Sequence, residues 1–126
     1  MKPRLAAWAA VVLWAALIFV LSGRPRVPGP DIPYADKVLH FCGFAVLGLL
    51  LARACERSAL PLVAAVALGL LYGASDEVHQ MYVPGRSPDV WDWAADAAGV
   101  TIAVYTYRNR RARRGDRPRA APHLRA

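Results

Sequence analysis

The sequence predicts an all-α, polytopic membrane protein with four transmembrane helices in a bundle. Hydrophobic residues make up 56% of the 126 residues, above the roughly 45–50% that is usual for soluble domains. Four apolar runs are long enough to cross a bilayer as helices, which takes about 17–25 residues each. We expect one transmembrane domain, residues 1–107, and a basic tail, residues 108–126. The four runs are Leu5–Ser22, Val38–Ala54, Ser58–Ala74 and Val90–Tyr107.

The first run carries Trp8 and Trp14 and no charge. A signal peptide is the alternative, because basic residues precede an apolar core. That core is longer than the usual 7–15 residues, and LSGRPR contains no small-x-small cleavage site. We therefore expect a retained helix, followed by the loop SGRPRVPGPDIPY, whose prolines exclude regular helix.

The second and third runs place polar groups at neighbouring helix ends. Asp36 suits the start of a helix, where a carboxylate meets the positive end of the dipole. It shares a face with His40, four residues on. The third run contains Gly69 and Gly73, a small-xxx-small pair that lets membrane helices approach closely. A turn, Val83-Pro84-Gly85, follows.

The fourth run begins after SPD, where we expect Ser87 to cap the helix and Pro88 to take its first position. Asp92 and Asp96 follow at i and i+4. An aspartate at the depth of Asp96 would cost ~2.5–3.5 kcal/mol if it faced lipid. We expect it to face the bundle interior, with Arg86 or His40 as its partner.

The net charge of +7 is distributed unevenly along the chain. Eight of the sixteen Lys and Arg residues follow Tyr107. Lys2 and Arg4 precede the first run, and Arg53 and Arg57 lie where the second run joins the third. Because basic residues flank spans on the cytoplasmic side, both termini are expected there. Nucleic-acid binding is the alternative for the arginine run; we expect none, and we expect the tail to be disordered.

This topology brings the polar ends of the second, third and fourth helices into one layer. His40 with Glu77 or Asp92 is suited to general acid–base chemistry. Arg86, with Lys37 and His40, is suited to an anionic group. No cofactor is expected, and no metal, because neither HExxH nor paired-cysteine spacing occurs.

These residues resemble the VanZ-like membrane proteins, whose pattern runs D-K-x-x-H-F, E-x-x-Q, R, D and G. Two positions depart from it: Asp96 replaces a frequent asparagine, and Ala103 replaces a glycine, which we expect to loosen one helix contact. The resemblance implies a bacterial cytoplasmic-membrane protein, related to proteins linked to resistance against teicoplanin-type glycopeptides. The matching residues are Asp36, Lys37, His40, Phe41, Glu77, Gln80, Arg86, Asp92 and Gly99.

The function we expect is handling of a lipid or lipid-linked envelope headgroup in an outward-facing polar pocket. The sequence leaves open whether catalysis occurs. One alternative is an accessory protein whose polar cluster is a structural helix lock. Another is an ion pathway, which the apolar inner halves of the helices disfavour. The expected catalytic residues are His40, Glu77 and Asp92; the expected binding residues are Asp36, Lys37, Gln80, Arg86 and Asp96.

Overall fold

The computed structural model describes residues 2–25 and 34–115, which form four α-helices. They are α1 (Lys2–Ser22), α2 (Ala35–Arg57), α3 (Leu62–Gln80) and α4 (Val90–Gly115). The first three are long and apolar enough to cross a membrane. The all-α prediction is confirmed, and three helices have the length and composition expected of membrane spans.

The fourth helix differs from its prediction in composition and in length. α4 is less apolar than the other three, because Asp92 and Asp96 lie near its start and arginines occupy its last two turns. It continues past Tyr107 to Gly115. Arginine and alanine are good helix formers, and cations are favourable at a helix C-terminus. Residues 108–115 of the predicted tail are therefore helical, and residues 116–126 lie outside the described residues.

The helix α2 occupies the centre of the bundle. It packs against α1, α3 and α4, and its largest interface is with α4. Within the described ranges the backbones of α1 and α4 do not approach each other closely, and α2 packs against both helices. Phe44, Leu47 and Leu51 of α2 are buried against Val100 and Val104 of α4.

Glycines allow α4 to approach α2 and α3 closely. A methyl group at Gly69 would lie 2.6 Å from Cγ1 of Val100, and one at Gly48 would lie 2.9 Å from its Cα. At Gly99 a methyl group would overlap the carbonyl oxygen of Phe41. Ala103 is buried opposite Gly48. The glycine at position 48 supplies the space for the Ala103 methyl group, and the expected loosening relative to glycine at position 103 stays a prediction.

Hydrogen bonds donated by aromatic side chains connect α1 to the rest of the bundle. The Trp8 indole donates to Oγ of Ser58 at 2.9 Å, and the Trp14 indole donates to the Gly43 carbonyl at 2.9 Å. The Tyr72 hydroxyl donates to the Ala15 carbonyl at 2.6 Å. The opposite face of α1 exposes an apolar stripe, which suits contact with lipid. Its largest members are Leu5, Val12, Leu13, Leu17, Phe19, Val20 and Leu21.

We predict that Gly99→Ala destabilises the bundle while Gly43→Ala does not. A methyl group at Gly99 must push α2 and α4 apart, and overpacking of this kind costs about 1–3 kcal/mol. A methyl group at Gly43 would meet no atom within 4 Å among the described residues. Unfolding of both variants by titrated denaturing detergent, followed by circular dichroism, measures the difference. Equal stability of the two variants would contradict the packing of α4 on α2.

Candidate functional site

Ionisable side chains from α2, α3 and α4 meet at the end of the bundle where α1 and α3 finish and α2 and α4 begin. We call this the polar end. Six of its polar residues are buried, with at most 9% of their surface exposed: Ser22, Asp76, Glu77, Gln80, Asp92 and Asp96. The predicted convergence of three helix ends is thus present in the structure, and α1 adds a fourth through Ser22.

Lys37 joins the start of α2 to the start of α4. Its Nζ lies 2.8 Å from Oδ2 of Asp89, 2.9 Å from Oδ1 of Asp92 and 3.4 Å from Oδ2 of Asp36. A single ammonium group therefore faces three carboxylates. Arg86 was one of the two basic partners expected for the aspartates of α4, with His40, and in the structure Lys37 contacts Asp92 instead of Arg86.

The residue that caps α4 is Asp89. Its Oδ1 accepts a hydrogen bond of 2.8 Å from the backbone N–H of Trp91, and the helix begins at Val90. An N-cap carboxylate satisfies an N–H that has no partner within the helix. The expectation that Ser87 caps the helix and Pro88 opens it is wrong, because both precede the true cap.

The cap carboxylate is also held in its charged form. Asp89 lies in the loop before α4, and the hydrogen bond from Lys37 lowers its pKa below the ordinary aspartate value. The hydrogen bond from the Trp91 amide acts in the same direction. Asp89 thus accepts from both a backbone amide and an ammonium group, which fixes the start of α4 against α2.

His40 lies between the two aspartates of α4. Its Nδ1 is 3.0 Å from Oδ1 of Asp96, a hydrogen bond, while its Nε2 is 3.9 Å from Oδ2 of Asp92. The expected pairing of His40 with Asp96 is therefore present. Asp36, expected to support His40 from one turn away, contacts Lys37 instead.

The end of α3 contributes two inward-facing carboxylates. Oε2 of Glu77 accepts a hydrogen bond of 2.7 Å from the backbone N–H of Asp89. Oδ2 of Asp76 accepts from Oγ of Ser22 at 2.9 Å and from Nε2 of Gln80 at 3.1 Å. The sequence did not decide whether Asp76 or Glu77 points into the bundle, and in the structure both side chains do.

Arg86 stands apart from these contacts. It lies in the turn after α3, where its backbone N–H donates to the Val83 carbonyl at 3.1 Å. Its half-buried side chain forms neither a hydrogen bond nor an ion pair with any residue in the described ranges 2–25 and 34–115. The predicted pairing of Arg86 with Asp92 or Asp96 does not occur there.

Sequence reasoning missed Ser22 and Asp89 as members of the polar end. No sequence pattern indicated Ser22 as a site residue, because a serine at the end of an apolar run is ordinary. Asp89 did offer one: an aspartate just before a helix is a strong cap. Its bond to Lys37 crosses 52 positions of sequence, which local patterns do not reveal.

Several buried polar atoms at this end lack a hydrogen-bond partner in the described structure. Four are oxygens: Oδ1 of Asp76, Oε1 of Glu77, Oε1 of Gln80 and Oδ2 of Asp96. The fifth is Nε2 of His79, whose ring stacks on Phe19 with centroids 4.0 Å apart. Since most buried polar atoms are paired in native proteins, this cluster of open acceptors sets the polar end apart.

A groove opens beside Lys37, between the starts of α2 and α4. Its volume is about 440 Å³, and it is lined by Tyr34, Lys37, Trp91, Ala94 and Ala95. Tyr34, the residue before α2, has a left-handed backbone with φ of 62°. A non-glycine residue in that conformation carries strain, which frequently occurs where a ligand is held.

Membrane-length apolar helices with a buried ionisable cluster at one end define a helical membrane protein. The profile of the VanZ/LLP1 family matches residues 7–111, most of the chain, and the protein belongs to that family. The resemblance inferred from the DKVLHF and EVHQ motifs is therefore confirmed. Neither a curated protein nor a solved structure matches the chain.

We predict that Lys37→Met raises the pKa of Asp89 towards the ordinary aspartate value. In the wild type the folded-state pKa is lowered, so the stability that Asp89 contributes is present above its unfolded-state pKa. That contribution is lost as the pH falls through the lowered folded-state value. Titration of selectively ¹³C-labelled aspartate carboxyls by NMR measures both proteins. An unchanged Asp89 midpoint in the variant would contradict the Lys37 contact.

Proposed function

We propose that this protein binds the headgroup of a lipid or lipid-linked envelope precursor at the outer face of the bacterial cytoplasmic membrane. The observation that carries the proposal is the groove beside Lys37. Trp91, Ala94 and Ala95 give it apolar walls, and Lys37, whose ammonium group contacts the buried carboxylate of Asp92, gives it a charged one. A groove with apolar walls and one charged wall suits an amphipathic molecule. Its hydrocarbon chain would lie along α4, and its headgroup would reach the polar end.

The topology that accompanies this proposal has four spans and cytoplasmic termini. Positively charged residues gather at the end opposite the polar end, at Lys2, Arg4, Arg53 and Arg57 and in the last turns of α4. The positive-inside rule assigns that end to the cytoplasm. α4 is included because its middle section, from Gly99 to Val104, packs into the apolar core against α2.

The charge of the site narrows the class of headgroup. The polar end presents buried carboxylates and open acceptor oxygens, which favour a headgroup rich in hydroxyl or amine donors. Arg86 is the cation we assign to an anionic group such as a phosphate, because a guanidinium grips it with two hydrogen bonds. A phosphorylated sugar, or a phosphate linked to an amine, carries both the hydrogen-bond donors and the anionic group.

In this proposal His40 exchanges a proton with the headgroup. Asp96 holds Nδ1 of its ring at 3.0 Å, and this fixes the ring orientation. An imidazole oriented by a carboxylate is a recurrent general acid or base. Glu77, Gln80 and Asp92 orient the headgroup from α3 and α4, and Asp36 holds Lys37. A role in teicoplanin-type resistance is the part of the proposal that rests on the family resemblance alone.

We predict that the purified protein retains a distinct lipid that depends on the groove. Ala95→Leu fills the groove, whereas Ala98→Leu adds the same volume at an exposed position of α4. Mass spectrometry of co-purified lipids should show one species enriched over the bulk membrane, reduced at least about tenfold by Ala95→Leu, and unchanged by Ala98→Leu.

The same measurement on a His40→Ala strain asks whether the bound species is converted. Accumulation of one lipid or precursor in the cells, with His79→Ala as the control, would name the substrate class. Co-purified lipids that mirror the bulk membrane in all variants would contradict the binding proposal.

The second candidate function is a non-catalytic envelope accessory whose polar end is a helix lock. It is favoured by the bonds from Lys37 to Asp89 and Asp92, which tie α2 to α4. The exchange Lys37→Asp with Asp92→Lys separates the two candidates. If the pair only locks the helices together, the double exchange restores function. If the two groups act on a ligand, the double variant stays inactive although the protein accumulates normally.

A further inference from the structure

We propose that His40, Glu77 and Asp96 bind a divalent transition-metal ion. One ligand atom from each residue lies within 4.8 Å of the other two. The residues come from three helices, α2, α3 and α4, so an ion there would connect all three. The inference goes beyond the proposed lipid binding and is tested without it; with an ion bound, His40 and Glu77 are its ligands, and a group on the ion takes over the proton exchange that was assigned to His40.

A second observation, separate from the clustering, points to an ion. Oε1 of Glu77 and Oδ2 of Asp96 are buried and have no hydrogen-bond partner in the part of the chain described. The two residues are 9% and 1% exposed, so bulk water does not satisfy these oxygens. A carboxylate oxygen left without a partner at such depth is costly, and buried charges are characteristically paired or coordinate metals.

Two of the three ligands already lie at a separation that suits one ion. Nδ1 of His40 is 3.0 Å from Oδ1 of Asp96, so an ion between them would replace their hydrogen bond. Oε2 of Glu77 is held by the backbone N–H of Asp89, which leaves its Oε1 as the third ligand atom. Ligating carboxylates are themselves commonly hydrogen-bonded, as Glu77 is.

The donor set identifies the class of ion. One imidazole nitrogen with two carboxylate oxygens suits Zn²⁺, Mn²⁺ or Fe²⁺, whereas Ca²⁺ and Mg²⁺ take oxygen ligands. Three protein ligands also leave a coordination position open, as in catalytic rather than structural sites. A headgroup oxygen or a water molecule fits that position.

The sequence argued against a metal because no local ligand motif is present. That test detects ligands that share one helix or loop. Here each helix supplies a single ligand, and His40 and Asp96 are separated by 56 positions. Only the meeting of the helix ends at the polar end creates the set.

We test the proposal with metal-stripped full-length protein in detergent. Co²⁺ is the probe, because its visible absorption reports tight binding at nitrogen and oxygen ligands, and Zn²⁺ then displaces it. We expect one Co²⁺ per chain in the wild type. Glu77→Gln and Asp96→Asn should weaken binding about 100-fold, since even outer-shell changes cost 10–100-fold.

Asp76→Asn is the matched control, because it removes the same charge from a buried neighbour of Glu77 that lies outside the ligand set. It should bind Co²⁺ as the wild type does. Circular dichroism and size-exclusion profiles check that each variant is folded. Equal weakening in all three variants would overturn the proposal in favour of a diffuse acidic attraction, and no saturable Co²⁺ spectrum in the wild type would overturn it outright.

The groove variant Ala95→Leu separates this inference from the proposed function. It should lose the co-purified lipid and keep the Co²⁺ spectrum. A protein that retains its lipid but never binds Co²⁺ refutes the metal alone. A protein that binds Co²⁺ but carries only bulk lipid refutes the headgroup proposal alone.

Discussion

The structure depends on the burial of carboxylates at one end of an apolar bundle. Asp92 and Asp96 of α4 face α2 rather than lipid, and Lys37 and His40 of α2 lie against them. An uncompensated charge at that depth is expensive, so the ammonium and the imidazole determine how α4 is oriented. The groove, the helix cap at Asp89 and the proposed metal ligands all follow from this one alignment.

Close packing makes the alignment possible. Gly48 and Gly99 remove the side chains that would separate α2 from α4, and Gly69 does the same between α3 and α4. Helices in lipid gain little from hydrophobic burial against each other, so close approach and polar contacts supply the association. The glycines bring the backbones together, and the ion pairs then fix which faces meet.

The groove and the proposed metal ligands occupy neighbouring parts of the polar end, and the two proposals share His40, Glu77 and Asp96. The groove and Lys37 lie at its rim, where a lipid can approach along α4. The open oxygens of Glu77 and Asp96 lie behind, beside His40, where water is excluded. An ion held there would present an open coordination position towards the headgroup, and in the absence of water its charge would act strongly on a bound oxygen.

The sequence by itself determined the helical class, the family and the concentration of polar residues at helix ends. Apolar length, the DKVLHF and EVHQ motifs and the i, i+4 spacing of Asp92 and Asp96 are local properties, and local properties suffice for these conclusions. The sequence paired the groups only in part: His40 does hold Asp96, but Lys37 takes the place expected of Arg86. It also missed Ser22 and Asp89. Only the tertiary structure decided these partners, because the rotation of each helix about its axis is fixed by contacts between segments that are distant in the sequence.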